Sequence, residues 1–197
     1  MAKTPVYEQN LISMVSSLIH LRTIGEELGK KPFVIPRMAD VMKGSVGEFE
    51  LLNAQFDRTE EALQVEARPY LEDWLSAVGM SVGGEVRFEG SNGRGVARMR
   101  GRLAGVRLYP RVLHGKRCVE LLLEEAEFTP GSGSSFQAYE DFSQQALAPV
   151  LNGGSRAYRI KEKDAAGVER FVVKVTLPIK VDDIKAMGSS PYYFRVV

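Results

Sequence analysis

The sequence predicts an α+β protein: N-terminal helices packed on a mainly antiparallel β-sheet built from hairpins, with one inserted helix. Three observations carry this. Apolar residues recur at helical spacing through the first 79 residues. From Met80 onward the period falls to two. Short Gly- and Asn-containing turns separate the alternating segments, too short for parallel crossovers.

In the first region, Thr4-Pro5 reads as an N-cap followed by proline at the first helical position. Leu11, Val15, Leu18, Leu21 and Leu28 follow on one face, and Gly29 and Pro32 supply the stop. Ser13, Ser17 and His20 form a small polar stripe suited to close helix packing. A short helix over 36–43 comes next. Asp57-Arg-Thr-Glu60 has the form of a capping box opening a third helix. Leu63, Ala67, Tyr70, Trp74 and Val78 share its face, with Pro69 kinking or splitting it and Gly79 closing it.

Segments 82–89, 95–103, 106–113, 117–125, 156–163 and 168–180 read as strands. The TPGSGSS run (129–135) leads into a helix at about 136–148, with Phe136, Tyr139, Ser143 and Leu147 at helical spacing. A helical turn at 181–187 and a terminal strand complete the chain. The organisation is therefore a helical region, 1–79, and a β-rich region, 80–197, sharing one core.

With 197 residues and one cysteine, Cys118, the chain needs no disulfide to bury a core and can form none internally. The N-terminus lacks the pattern of a signal peptide, and the stretch 11–21 is too short to span a bilayer. The expectation is a cytoplasmic protein of prokaryotic or phage-like character, with no membrane association.

Familiar chemistry is absent from the motifs. Gly131-Ser-Gly-Ser-Ser lacks the lysine of a phosphate loop, and Gly93-Arg-Gly95 lacks the third glycine and helix of a dinucleotide fingerprint. His20, His114 and Cys118 are too few for a zinc site. Glu124, Glu125, Glu127, Asp182 and Asp183 read as solvated faces. No nucleophile elbow occurs, and His114 with Cys118 lacks an orienting third group. Neither an enzyme nor a bound cofactor or metal is expected.

Charge is uneven although the net is +1. Residues 1–79 carry net −4, 80–117 net +7, 118–150 net −6 and 151–197 net +4. Within GRGVARMRGRLAGVRLYPRVLHGKR (93–117) eight residues are basic and none is acidic. Strand alternation puts Arg98, Arg100 and Arg102 on one side, and Arg107, Tyr109 and Arg111 on one side. With Ala104-Gly105 as a two-residue turn, Arg102 opposes Arg107, Arg100 opposes Tyr109 and Arg98 opposes Arg111, which disfavours pairing unless something offsets the like charges. With Gly115-Lys116 as the next turn, Arg111 faces Glu120 and Arg107 faces Glu124. Lys116 and Arg117 continue the positive charge. The second hairpin repeats the pattern, with Arg159, Lys161 and Lys163 on one strand and Arg170 and Lys174 on the next.

Two basic faces with an interposed aromatic suit single-stranded nucleic acid, arginines taking phosphates and Tyr109 stacking a base. The tract GVERFVVKV (167–175) is similar over its nine residues to a strand of bacterial single-stranded DNA-binding proteins, and carries no family membership. The sequence therefore favours a non-enzymatic protein that binds nucleic acid or another anionic surface through these residues. The alternative is a structural or assembly subunit, as in a phage particle or secretion machine, in which the charge blocks pair between copies or with another protein. A solvated basic face, or one covered by the acidic helices, is the bland counterpart of both.

Overall fold

The computed structural model describes residues 4–30, 45–91, 96–130, 146–151, 155–163, 169–187 and 194–196. The element order is α1 (Val6–Lys30), α2 (Ser45–Ala77), β1 (Glu85–Ser91), β2 (Val96–Leu113), β3 (Lys116–Pro130), β4 (Ala146–Leu151), β5 (Ser155–Lys163), β6 (Glu169–Pro178), α3 (Val181–Met187) and β7 (Phe194–Val196). The strands form one sheet of order β4-β5-β6-β3-β2-β1-β7, with every pairing antiparallel. The α+β class is as the periodicity predicts. The sheet curls into a half-barrel, and α1 and α2 pack on it.

α1 turns Leu11, Val15 and Leu18 fully inward. Its first helical bond runs from Gln9 N to Pro5 O, so Pro5 opens the helix one place later than the Thr4 cap predicts. Ser13, Ser17 and His20 are exposed, so the small polar stripe faces solvent rather than a neighbouring helix. α2 is one helix from Ser45, which overturns a start at Asp57. Thr59 Oγ1 donates back to Gln55 O at 2.8 Å, mid-helix behaviour for a threonine that resembles a capping residue only in sequence. Pro69 lies inside α2 on its exposed side, while Ala67, Leu71, Trp74 and Leu75 are buried on the other. Met80 N donates to Leu75 O and Gly79 N to Ser76 O, with Gly79 at φ 75°. This is a glycine-terminated helix end of the Schellman type.

One apolar cluster joins both regions of the chain. It takes Leu11, Val15 and Leu18 from α1, and Leu71, Trp74 and Leu75 from α2. The sheet adds Val86 and Phe88 (β1), Met99, Leu103 and Leu108 (β2), Val119, Leu121 and Leu123 (β3), and Val173, Val175 and Leu177 (β6). Two polar ties close it. Trp74 Nε1 donates to Ile179 O at 2.7 Å, and Glu8 accepts from Val181 N at 3.0 Å at the start of α3. The short helix at 36–43 lies outside the described residues. So does most of the inserted helix at 136–148; its last residues, Ala146–Ala148, are in strand β4 instead. Among the described residues no helix is long and apolar enough to cross a membrane.

Candidate functional site

The basic stretch does not fold back at Ala104-Gly105. β2 runs unbroken for 18 residues, between β1 and β3. The expected pairs of Arg102 with Arg107 and Arg98 with Arg111 therefore do not form. The reversal comes at His114-Gly115, both at positive φ (48° and 75°), the primed turn that suits a two-residue hairpin. Leu113 pairs with Lys116 and Val112 with Arg117. The turn thus sits one residue before the expected Gly115-Lys116, and an irregularity between Leu108 and Val112 shifts the register again, so that Arg107 faces Glu120 rather than Glu124.

Ala104 acts as a β-bulge. Leu103 pairs with Leu123 and Gly105 with Leu122, leaving Ala104 as an extra residue on β2. A bulge, like a turn, changes the phase of alternation by one. It lets odd-numbered Arg107 join even-numbered Arg98, Arg100 and Arg102 on the side of the sheet opposite the buried Leu103 and Leu108, with Arg107 and Glu120 bordering a recess beside α2. A second bulge lies on β3, where two residues separate Glu124 from Glu127 but one separates Arg102 from Arg100. Glu125 takes a positive φ of 53° there. Opposite it, the backbone at Gly101 approaches so closely that a methyl group would lie 3.2 Å from Glu124 O.

The two bulges align a ladder of opposite charges. Arg98 Nε reaches Glu89 at 2.8 Å. Arg100 donates from Nε (2.8 Å) and Nη2 (2.6 Å) to Glu127 Oε2. Arg102 Nη2 reaches Glu124 at 3.0 Å and Glu125 at 3.4 Å. Arg107 Nη2 holds Glu120 at 2.6 Å. On β1, Arg87 pairs with Glu85 at 2.6 Å. Arg87 stands directly opposite Arg100 in register, and the carboxylates flanking both offset that like-charge contact. The Arg100 guanidinium is pushed further above its usual value by its hydrogen bond to Glu127 and by that carboxylate's charge. Among its charged residues the face thus alternates by strand, β1 mixed, β2 arginine and β3 glutamate, with Leu122 opposite Gly105 between the Arg102 and Arg107 rungs.

The remaining predicted residues do not form one basic surface with these. Tyr109 and Arg111 lie in the irregular stretch near the end of β2, where Arg111 is exposed and makes no ion pair among the described residues. Lys116 pairs with Asp183 at 3.3 Å. Arg117 points to the helix side, where its Nε donates to Ser16 Oγ at 2.6 Å. Lys174 pairs in register with Leu122 on one side and Tyr158 on the other. Arg159 and Lys161 stand in register with Val173 and Phe171, Lys163 with Glu169 and Arg170 with Glu162. Arg159, Lys161 and Lys163 are therefore out of phase with Arg170 and Lys174. The side chains of Arg159, Lys161, Lys163 and Arg170 are outside the described residues.

Residues the sequence did not single out complete the site: Glu85, Arg87, Glu89 and, as an ion-pair partner, Glu127. Their signal was alternation in VRFE and the acidic run after Cys118, but the partners depend on register. Gln64 was also missed. Its side-chain amide accepts from Leu108 N at 2.8 Å and donates to Leu108 O at 3.2 Å, closing the β2 edge that β1 does not reach. A recess of about 560 Å³ follows that edge, between Asp57, Glu60 and Glu61 of α2 and Arg107 to Arg111. A second, of about 390 Å³, lies over Arg87, Arg98, Arg100 and Glu127.

Among the described residues no group of three metal-ligating side chains converges. Cys118 is buried, its Sγ 3.6 Å from Lys116 O. Burial first, with Asp183 adding and Lys116 opposing, pushes the thiol up to about 12, so it is protonated near neutrality and a poor nucleophile. No protein-family model matches the chain, and neither a curated protein nor a solved structure shows significant similarity to it.

Proposed function

We propose that this chain is a non-catalytic assembly subunit that docks another protein through the ladder face. The observation that carries the proposal is the pairing: Arg98, Arg100, Arg102 and Arg107 each hold a glutamate. A phosphate approaching such a row meets carboxylates already in place, so little net counterion release is left to drive binding. A protein partner can instead match the rows of alternating sign, which favours one orientation and rejects others. Arginine is also among the residues enriched in protein interfaces.

The nucleic-acid reading keeps one supporting observation, the exposed Arg111 beside Tyr109, which makes no ion pair among the described residues. Two measurements decide between them. Fluorescence anisotropy with single-stranded DNA and RNA oligomers at low ionic strength is expected to show no saturable binding. A photo-crosslinking residue at position 87 is expected to give adducts with protein that resist nuclease. Saturable oligomer binding that is lost on reversing Arg98, Arg100 and Arg102 overturns the assembly proposal.

A further inference from the structure

We propose that the ladder face pairs with a second copy of this chain, about a two-fold axis parallel to the strands and midway between β2 and β3. This rests on the protein-docking function above and names the partner.

Rotation about such an axis lays β2 of one copy over β3 of the other and keeps each residue at its own height. The register sets what meets what. Arg100 stands beside Glu127, Arg102 beside Glu124 and Arg107 beside Glu120. Each arginine therefore comes to lie over the partner copy's equivalent of the glutamate it already holds. The Arg100–Glu127 and Arg102–Glu124 rungs become squares of four charges with alternating sign, each charge flanked by two of opposite sign, while Glu120, only 9% exposed, keeps the Arg107 rung within its own copy. An axis lying over β2 would put arginine on arginine, and one over β3 glutamate on glutamate. The stripes thus favour one axis and repel its neighbours, as isologous interfaces require.

The Arg100–Glu127 rung retains the valence for this. Arg100 directs Nε and Nη2 to one oxygen of Glu127, Oε2, which uses two of the five N–H groups of a guanidinium. Arg100 is 57% and Glu127 63% exposed, so this rung is open to a partner. From Arg98 to Arg107 the ladder spans roughly 30 Å at about 3.3 Å per residue. The two strands that the axis superposes, about 4.8 Å apart, give on the order of 300 Å² per copy, or about 600 Å² in total, below the size of stable interfaces. Desolvation of the paired charges opposes association, so the dimer is expected to be weak and to dissociate with salt.

The test uses Arg100→Glu and Glu127→Arg, singly and mixed, followed by sedimentation velocity at low ionic strength. Circular dichroism and thermal unfolding check that each variant folds, with Arg100→Gln in reserve. Wild type is expected to dimerise and to dissociate as salt is added. Each single variant puts four like charges on one rung and is expected to be monomeric. The equimolar mixture pairs a doubly negative rung with a doubly positive one, and is expected to restore a heterodimer.

A wild type that stays monomeric at high concentration and low ionic strength overturns self-pairing, while the docking function stands or falls by its own test. Dimers that persist unchanged in both single variants show association through another face and overturn self-pairing through the ladder. Single variants that are monomeric and fail to dimerise when mixed, with wild type dimeric, overturn the axis.

Discussion

Replacing Gln64 by leucine removes both hydrogen bonds that close the free edge of β2 while keeping the volume of the side chain nearly constant. Leu108 N–H loses an acceptor at 2.8 Å and Leu108 C=O a donor at 3.2 Å. A typical internal hydrogen bond contributes roughly 0.5–1.5 kcal/mol, and a buried group left without a partner costs roughly 1–3 kcal/mol. The edge borders the 560 Å³ recess, from which water can reach the freed groups, so each of the two lost bonds costs nearer the first figure than the second. Gln64→Leu is expected to destabilise the fold by about 1–3 kcal/mol. For a chain of this length that corresponds to roughly 2–4 °C of unfolding midpoint per kcal/mol.

Urea unfolding followed by circular dichroism gives the free energy, and amide exchange at Leu108 reports the bond directly. Gln64→Glu makes the test sharper. At neutral pH the carboxylate still accepts from Leu108 N–H but sets its second oxygen against Leu108 C=O. Protonation restores the donor, so the folded-state pKa of that glutamate is raised. Its stabilising effect is then present below its unfolded pKa of about 4.3 and is lost as pH rises through the folded value. Gln64→Leu stability within about 0.5 kcal/mol of wild type, with Leu108 exchange unchanged, refutes the seal.

Gly101→Ala is expected to destabilise. The added methyl group meets Glu124 O at 3.2 Å and Ala126 Cα and Leu123 Cβ at 3.3 Å, none of which can swing aside. Overpacking of roughly 1–3 kcal/mol outweighs the roughly 0.4–1 kcal/mol gained by stiffening the unfolded chain; a midpoint equal to wild type or higher refutes this. Cys118 should resist iodoacetamide at pH 8 until urea unfolds the chain. Its folded pKa of about 12 lies above the unfolded value of roughly 8.5. Stability from the buried thiol is therefore whole below pH ~8.5 and declines above it, by at most about 1.4 kcal/mol per pH unit. Cys118→Ala should remove that slope between about pH 8.5 and 10, and a wild type with the same slope as the variant refutes it.

Alternation made the strands and their two faces legible, and helical spacing made Leu11, Val15, Leu18, Ala67 and Trp74 legible as core. The change of phase at Ala104-Gly105 was visible too, but its cause was not. A tight turn and a single-residue bulge shift alternation identically. They differ only in whether the next segment pairs back on itself or continues beside β3, and that is a tertiary matter. The same limit hid the glutamate partners. The turn lies one residue before the expected Gly115-Lys116, and the irregular stretch at Tyr109–Arg111 displaces the register again before Arg107, so counting outward from the expected turn matches Arg107 with the wrong residue; the two bulges displace it further on the way to Arg98. The start of α2 was misread for a local reason. A threonine and a glutamate near a helix end and in its exposed middle carry the same letters, and only the backbone bonds tell them apart.

The ties from Trp74 to Ile179 and from Glu8 to Val181 join groups 105 and 173 positions apart. A chain made from its N-terminus synthesises α1 and α2 well before the strand and turn that satisfy them. Until β6 arrives, Leu11, Val15, Leu18, Leu71 and Trp74 lack the side of the core formed by Val173, Val175 and Leu177. Such long-range closure makes folding slow and leaves apolar helix faces exposed in the nascent chain. During synthesis, the first two helices are thus the part of this protein most in need of chaperone cover.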